Sequence, residues 1–227
     1  MTAERKFSQF YADKNNTHLY PTEFVVRTLL GKYPLLQLDN SKYNGKKILD
    51  LGFGDGRNMP LLDHLGFDIY AVETTLKIVE LAKEFLRNNQ ISANLTVGRN
   101  SSVNFESNYF DFVLACHSCY YVDKNETFED NLREISRVLK KGGTFIASVP
   151  IIGNYLLNAS ELKAGMYAKI TDDPYQLRNG SMLKYFENNQ QIEECFSEYF
   201  ESFSFATIDD DYFGVRVKAS IVVCSKK

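Results

Sequence analysis

A short glycine-rich loop is the first part of the sequence whose residue types and spacing could bind a ligand. The loop runs from residue 50 to residue 58 with the sequence DLGFGDGRN, and it follows the apolar run Lys47–Leu51. Glycines at alternate positions let the backbone turn tightly and let a ligand approach it closely. Between a buried strand and a helix, such a glycine loop offers backbone N–H groups to the charged tail of a cofactor.

An acidic residue follows the next apolar run, where it could act together with the glycine loop. Glu73 comes directly after Asp68–Val72, and a carboxylate at the end of the neighbouring strand can accept both hydroxyls of a ribose. The loop spacing is G-x-G-x-G, whereas a dinucleotide-binding turn needs a third small residue at the position of Arg57. This combination favours a ribose-containing cofactor without a pyrophosphate. Alternatively, Glu73 only stabilises the start of a helix near Thr75.

The elements that position these residues are predicted from an alternation of apolar runs and amphipathic segments between residues 47 and 149. Strands that are apolar throughout are buried on both faces, and strands separated by helices run parallel. Ligands of such sheets bind at the carboxyl ends of the strands. The predicted strands are Lys47–Leu51, Asp68–Val72, Asn94–Val97, Phe110–Cys116 and Thr144–Val149, and the predicted helices are Asn58–Leu65, Thr75–Asn88 and Asn125–Leu139, the last ended by Gly142-Gly143.

The C-terminal part of the chain closes this sheet. A helix is predicted over Asn188–Phe200, followed by strands at Phe203–Ile208 and Val215–Cys224. The short acidic turn at Asp209–Asp211 between these strands requires them to pair antiparallel. We therefore predict an α/β fold, with a doubly wound, mostly parallel seven-stranded sheet and an antiparallel last strand, and we treat residues 1–227 as a single domain.

Two segments lie outside the alternation. Residues 1–36, the N-terminal lid, contain a predicted helix at Tyr20–Lys32 after a polar stretch that we expect to be loosely ordered. Residues 150–187, the insertion, are too long for a plain connection, so we predict that they carry their own helix and cover the active site. Alternatively, the insertion is a dimerisation arm.

Four segments, in order and at normal spacing, resemble motifs of class I S-adenosylmethionine-dependent methyltransferases of the small-molecule, methyltransferase type 11-like group. ILDLGFGDGRN resembles the first motif and AVETT the second, while FESNYFDFVLA resembles the segment that leads into the fourth strand. LREISRVLKKGGTFIASVP resembles the following helix and fifth strand. The resemblance covers roughly residues 45–150 well and 188–227 loosely. It implies a Rossmann-like methyltransferase fold and S-adenosylmethionine as the cofactor.

The resemblance also implies the residues of a cofactor site. The glycine loop would surround the methionine part of the cofactor, the acid after the second strand would hold the ribose hydroxyls, and its neighbour would lie beside the adenine. The end of the fourth strand would border the methionine. These residues are Asp50, Gly52, Phe53, Gly54, Glu73, Thr74 and Cys116.

The chain departs from the family pattern after the third strand. Relatives place an acidic residue there, which accepts a hydrogen bond from the adenine amino group, but this chain has Arg99. Because arginine can only donate hydrogen bonds, the acceptor would be Asn100, Ser101 or water.

The segment after the fourth strand holds the candidate catalytic residues. His117 and Tyr121 lie where the resemblance places the methyl group and the acceptor, and a histidine is suited to general-base work near neutral pH. Orienting the acceptor or contacting the cofactor is an equally open role for His117. Cys116 and Cys119 form a C-x-x-C pattern, which leaves redox chemistry or zinc as alternatives. No second ligand pair is close in sequence, so we predict no metal.

Composition narrows the partners. The net charge is -3 and no basic patch is visible, whereas proteins that bind nucleic-acid phosphates usually show one. No apolar run is long enough for a bilayer and the N-terminus lacks a signal-peptide core. We therefore expect a cytoplasmic protein, without a nucleic-acid or membrane partner, that is a monomer or a homodimer.

These observations together predict S-adenosylmethionine-dependent methyl transfer to an O- or N-nucleophile of a small molecule. One alternative is a non-catalytic module that binds S-adenosylmethionine as a sensor or partner subunit, because a fold alone does not establish function. A second alternative is a nicotinamide-dependent oxidoreductase. The absence of a small residue at position 57 and the antiparallel closing pair argue against the second alternative.

Overall fold

The computed structural model describes residues 3–13, 19–158 and 160–227, and a seven-stranded sheet forms its centre. Seven helices and eleven strands are found among these residues. The helices are α1 (Ala3–Asp13), α2 (Glu23–Leu30), α3 (Met59–His64), α4 (Leu76–Asn88), α5 (Phe128–Val138), α6 (Tyr155–Asn158) and α7 (Asn189–Phe196). The strands are β1 (Lys47–Leu51), β2 (Asp68–Glu73), β3 (Ala93–Val97), β4 (Phe110–Ala115), β5 (Tyr121–Val122), β6 (Leu139–Pro150), β7 (Ser160–Lys163), β8 (Tyr167–Ile170), β9 (Met182–Lys184), β10 (Phe200–Tyr212) and β11 (Val215–Lys226).

The order of strands in the large sheet is β3-β2-β1-β4-β6-β11-β10. Strands β3, β2, β1, β4 and β6 pair in parallel, whereas β11 pairs antiparallel with both β6 and β10. This confirms the predicted doubly wound, mostly parallel seven-stranded sheet with an antiparallel last strand. The order of the strands reverses between β1 and β4, so a crevice is expected at the carboxyl ends of these two strands.

Helices cover both faces of the large sheet because successive strand residues alternate between two cores. Phe145 packs with α5 and α7 on one face, and its neighbour Ile146 packs with α2, α3 and α4 on the other. Phe145 is fully buried and stacks near Phe196 of α7 at a centroid distance of 6.0 Å. Truncation of such a buried aromatic ring costs about 3–5 kcal/mol, so these contacts fix the strands that carry the site.

Local capping explains where some predicted elements begin and end. Helix α5 starts at Phe128, later than predicted, because Thr127 and Asp130 form a reciprocal capping box. The prediction that Gly142-Gly143 ends this helix is wrong. Gly142 has the expected positive φ of 70°, but it lies inside β6, after the helix has ended at Val138.

The N-terminal lid and the C-terminal hairpin also differ from their predictions. Residues 3–13 are helical rather than loosely ordered, with Phe7 and Tyr11 on one face, while residues 14–18 of the predicted lid lie outside the described residues. Asp209–Asp211 belong to β10 and pair with β11, and the turn lies at Phe213-Gly214. Strand β10 continues to Tyr212 by pairing with β11, and Arg216 of β11 donates to Asp209 across this pair at 2.7 and 2.8 Å.

The insertion carries a helix, as predicted, but this helix is short and is accompanied by three strands that were not predicted. Its only helical element among the described residues is the single turn α6, and β7, β8 and β9 pair antiparallel. Strand β9 also pairs with β5, so the second sheet has the order β5-β9-β8-β7. This pairing fixes the insertion directly beside the segment that follows β4.

The helices of the described residues are all too short or too polar to cross a membrane.

Candidate cofactor and acceptor site

The glycine loop lies at the carboxyl end of β1, pressed against the segment after β4. Gly52 has a φ of 72° and its N–H donates to the Val72 carbonyl at 2.8 Å. A Cβ atom at Gly52 would lie 2.5 Å from the Cβ of Ser118, whose hydroxyl donates to the Leu51 carbonyl. A side chain at this position would therefore push apart the ends of the two central strands.

Glu73 joins the glycine loop to the end of β2. Its Oε2 accepts a hydrogen bond from the Gly54 N–H at 3.1 Å, and its Oε1 accepts from the N–H and the hydroxyl of Thr74 at 2.6 and 2.9 Å. The N-cap of α4 is Thr75, which accepts from the Ile78 N–H at 3.4 Å. Thr75 therefore caps α4, and the carboxylate of Glu73 instead contacts the glycine loop.

Asp50 places a buried carboxylate under the glycine loop. The residue is fully buried, and neither oxygen accepts a hydrogen bond from any described residue. Burial, followed by the nearby charges of Glu73 and Asp55, raises the pKa of Asp50 to about 7. Burying an unpaired carboxylate is costly, so a positively charged group or a hydrogen-bond donor from a ligand would stabilise this residue.

The residues after β3 are held by side-chain hydrogen bonds. Nδ2 of Asn100 donates to the carbonyls of Ser118 and Tyr121 at 3.0 and 3.1 Å, which ties this loop to the segment after β4. The hydroxyl of Ser101 donates to Glu126 at 2.5 Å. Oδ1 of Asn100 accepts no hydrogen bond from the described residues, so this oxygen could accept one from a ligand.

Helix α1 covers the cofactor side of the crevice. The hydroxyl of Tyr11 lies only 2.5 Å from the position of a Cβ atom at Gly54, and Ser8 hydrogen-bonds to Thr75 at 2.9 Å. Arg99 connects this helix to the loop after β5 by ion pairs with Glu4 at 2.6 Å and with Asp123 at 2.9 Å. Arg99, which departs from the family pattern, therefore holds α1 of the N-terminal lid against the loop after β5.

His117 follows β4 in an unusual backbone conformation, with a φ of 55°. Its N–H donates to the hydroxyl oxygen of Ser148 at 2.9 Å, and its Nδ1 lies 3.0 Å from the same oxygen. Because Ser148 accepts from the backbone, its own proton can point to Nδ1, which leaves the ring proton on Nε2. Burial, aided by Arg178 and Arg57, lowers the pKa of His117 to about 4.

This arrangement agrees with a comparison against protein families. Residues 49–147 match the family model described as a methyltransferase domain. The match includes the glycine loop, Glu73, Cys116 and His117, which the structure brings together at the carboxyl ends of β1, β2 and β4. The matched residues therefore form a methyltransferase domain of the S-adenosylmethionine-dependent kind. Its cofactor is therefore S-adenosylmethionine, and the enzyme catalyses methyl transfer.

Solved structures share the fold of this methyltransferase at low sequence identity. The PH0226 protein of Pyrococcus horikoshii OT3 is 20% identical with a TM-score of 0.68, and the alignment covers 96% of this chain and 99% of that chain. The Haloferax volcanii protein solved in complex with the Trm112 methyltransferase activator is 16% identical, with a TM-score of 0.65 and coverage of 99% and 97%. A Thermotoga maritima protein described as a possible histamine N-methyltransferase is 17% identical, with a TM-score of 0.62 and coverage of 100% of both chains. Comparison with curated proteins finds no match.

The two cysteines beside His117 are poorly suited to redox chemistry in the methyltransferase. Burial raises the pKa of Cys116 and of Cys119 to about 12, so both remain thiols at neutral pH. The thiol of Cys116 lies 3.4 Å from the hydroxyl of Thr22 and donates to it. Among the described residues, no group of three or more His, Cys, Asp or Glu residues could hold a metal ion.

A cavity of about 620 Å³ lies between α2 and the β10–β11 hairpin of the methyltransferase. His117 forms part of its wall, and Phe24 of α2 meets the His117 ring edge to face at 5.5 Å. The insertion is predicted from the sequence to cover the active site, but none of its described residues lines this cavity. Its apolar lining includes Phe24, Leu35, Leu36, Phe205, Ile208, Val217, Ile221 and Val223.

Three further residues near His117 and Tyr121 could not be identified from the sequence. Ser148 orients His117, Asp173 is fully enclosed within the insertion, and Arg178 lies against Asp173 and influences the titration of His117 and Tyr121. The phenol of Tyr121 lies beside that of Tyr120, with ring centroids 4.6 Å apart. Burial raises the pKa of Tyr121 above its usual value, although Arg178 opposes the rise. The phenol is therefore a hydrogen-bond donor at neutral pH.

Proposed function

We propose that this methyltransferase transfers the methyl group to a hydroxyl or amine of a small molecule bound against His117. The cavity beside His117 is the observation that carries this proposal, because about 620 Å³ lies within the range of small-molecule sites. The cavity also has acidic residues, Asp209 and Asp210, in its lining, which disfavours a polyanionic acceptor such as a nucleic acid. One structural neighbour is described as a possible N-methyltransferase of histamine, a small amine.

In the proposed cofactor site, the residues present fit S-adenosylmethionine, which supplies an activated methyl group when bound. Asp50, Gly52, Phe53 and Gly54 would surround its methionine part. The unpaired, buried carboxylate of Asp50 supports this assignment, because the methionine part carries positive charge and hydrogen-bond donors.

The ribose and adenine would lie on the side of β2 and β3. Glu73 would accept from the ribose hydroxyls, with Thr74 beside the adenine. The unused Oδ1 of Asn100 is the better candidate to accept from the adenine amino group, since the hydroxyl of Ser101 already donates to Glu126. Cys116 would border the methionine as an uncharged thiol.

We assign positioning roles to His117 and Tyr121 in the transfer step. With a pKa of about 4, His117 is neutral at physiological pH and is a weak base. Its Nε2–H would donate a hydrogen bond to the acceptor and aim the nucleophile in line with the methyl group, and alignment of this kind accounts for a large part of catalysis. Tyr121 would donate a second hydrogen bond from the insertion side.

A substitution that narrows the cavity tests whether the acceptor binds there. Val217 lines the cavity, whereas Val215 lies two residues earlier in β11 and does not. With purified protein and a panel of small amines and phenols, we expect S-adenosylhomocysteine to form with at least one acceptor. The substitution Val217→Trp should reduce turnover while cofactor binding persists, and Val215→Trp should behave as the parent enzyme. Cofactor binding without turnover of any acceptor would favour a sensor, and binding of NAD alone would favour an oxidoreductase.

We further propose that the enzyme works in the cytoplasm as a monomer or a homodimer. All four cysteines are free thiols, as expected in a reducing compartment. The Haloferax neighbour was solved with a protein activator, so the solution mass should be measured both for the purified chain and for the chain captured from its source. A stable complex with a different protein would contradict this proposal.

A further inference from the structure

Arg178 is an arginine in the insertion that the proposed function does not use. Its side chain is 22% exposed, which is less than the 38% of Arg57, the 42% of Arg99 and the 36% of Arg137. A guanidinium stays charged under all ordinary conditions. Removing it from water is costly unless anions and hydrogen-bond acceptors compensate, so its partners decide whether it is a structural or a binding residue.

The nitrogen–oxygen distances in the ion pair of Arg178 are longer than those of more exposed arginines. Its Nη1 lies 3.2 and 3.4 Å from the oxygens of Asp173. By contrast, Arg57 holds Asp55 through two nitrogens at 2.9 and 2.6 Å, and Arg137 holds Glu134 at 2.7 and 2.8 Å. Arg178 is thus the least exposed member of this group and the one with the longest contacts.

The carboxylate of Asp173 is already satisfied by the backbone of its own loop. It accepts from the N–H groups of Tyr175, Leu177 and Arg178 at 3.3, 3.0 and 3.0 Å. These bonds shape the loop without help from the guanidinium. Asp173 contacts only Nη1 of Arg178, and the phenol of Tyr121 also hydrogen-bonds to the guanidinium. A guanidinium has five N–H donors, so donors remain for a ligand.

Aromatic rings from three segments surround the guanidinium. Its carbon lies 5.7 Å from the ring centre of Phe7 in the lid and 5.9 Å from that of Tyr175 in the insertion. Tyr155 packs edge to face on Tyr175 at 6.4 Å, and Tyr121 approaches from β5. Rings with a hydroxyl at the tip make a partly dry space in which a charged hydrogen bond is strong.

We propose that Arg178 binds a carboxylate of the methyl acceptor, so that the substrates of this enzyme are small acids with a hydroxyl or amine to be methylated. The inference rests on the proposed function. Nε and Nη2 form the edge of the guanidinium that can hold both oxygens of a carboxylate. Arg178 does not line the cavity beside His117, but it lies close enough to lower the pKa of His117, so the acceptor would extend from that cavity past His117 to the guanidinium. The insertion and β5 supply most of the groups around Arg178, which favours the acceptor over the methionine carboxylate of the cofactor.

The test compares acids with their amides in the presence of saturating S-adenosylhomocysteine. Acetate, succinate and benzoate, each paired with its amide, are titrated by ligand-observed NMR into the parent protein and into Arg178→Gln, Arg178→Lys and the exposed control Arg133→Gln. At least one acid should bind the parent about tenfold more tightly than its amide, a factor that corresponds to about 1.4 kcal/mol. Arg178→Gln should lose this preference, Arg178→Lys should keep part of it, and Arg133→Gln should keep all of it.

A second comparison separates the two sources of a carboxylate. 5′-Methylthioadenosine lacks the amino-acid tail of S-adenosylhomocysteine, so both compounds are titrated into the parent and into Arg178→Gln. Unchanged affinity for both supports the acceptor assignment and shows that the variant is folded. A loss for S-adenosylhomocysteine alone would assign Arg178 to the cofactor and overturn the proposal, as would an acid preference that is absent from the parent or survives in Arg178→Gln. Failure of the proposed function is a separate outcome, because the parent would then either bind no S-adenosylhomocysteine or bind it without methylating any small-molecule acceptor.

Discussion

The two halves of the site are built in different ways. On the proposed cofactor side, the important contacts join the glycine loop to Glu73, and they involve backbone groups at the ends of neighbouring parallel strands. On the proposed acceptor side, side chains from distant segments lie around His117, such as Phe24 of α2, Ser148 of β6 and Arg178 of the insertion. Geometry fixed by the backbone suits a cofactor that never changes, whereas side chains on added segments can change with the acceptor.

The largest effect should come from adding a side chain at Gly54 in the glycine loop. A valine at Gly54 would be strained at a φ of 59° and would collide with Tyr11. We expect Gly54→Val to abolish binding of S-adenosylmethionine in calorimetry. Gly45→Val is the matched control, because Gly45 has a similar φ of 73° but has no atom within 4 Å of its Cβ position. Equal cofactor affinity in the two variants would show that the glycine loop is not the cofactor-binding site.

Removal of the Glu73 carboxylate, which is proposed to bind the ribose, should have the next largest effect. Glu73→Ala loses the bond to the Gly54 N–H and the expected bonds to the ribose, and charged hydrogen bonds are worth about 1.5–3 kcal/mol. Affinity for S-adenosylhomocysteine should therefore fall about 10-fold to 100-fold. Glu80→Ala, which changes an exposed residue of α4, should leave the affinity unchanged. The account of the cofactor half is wrong if both variants bind equally well.

The buried carboxylate should make the stability of the cofactor-free protein depend on pH. The pKa of Asp50 is raised from 3.8 to about 7, so between these values the unfolded chain has released its proton while the folded chain keeps it. Stability therefore falls as the pH rises from about 4 to about 7. Asp50→Asn should remove this part of the decline and raise the Tm at pH 7, with less change near pH 4, as measured by thermal unfolding. A Tm gain of Asp50→Asn over the parent that is no larger at pH 7 than at pH 4 would contradict this reasoning.

The contact that fastens the lid should have the smallest effect. The ion pairs of Arg99 with Glu4 and Asp123 are about 40% exposed on both sides, and pairs of this kind contribute about 1 kcal/mol or less. Arg99→Gln should speed amide exchange in α1 and weaken the cofactor affinity only a few-fold. Arg133→Gln should change neither. Unaltered exchange in α1 would mean that other contacts hold the lid.

The difference between the halves also explains what could be predicted from sequence. The glycine loop, Glu73 and the mostly parallel sheet follow from local patterns, because a parallel βαβ unit brings its strand ends together wherever it occurs. Asp173 and Arg178 could not be placed, since their positions depend on how β9 pairs with β5. Helix α1 was missed because its apolar face, with Phe7 and Tyr11, is sparse among polar residues and packs against the glycine loop and the insertion only in the folded protein.

The most direct test of the central claim is to find where the methyl group goes. Purified enzyme is incubated with S-adenosylmethionine labelled in its methyl group and with a cell extract separated into small molecules, protein and nucleic acid. We predict that label enters the small-molecule fraction, that the acceptor is an acid, and that Gly54→Val abolishes the transfer while Gly45→Val does not. Label that enters only the protein or nucleic-acid fraction, or no transfer at all, would contradict this prediction.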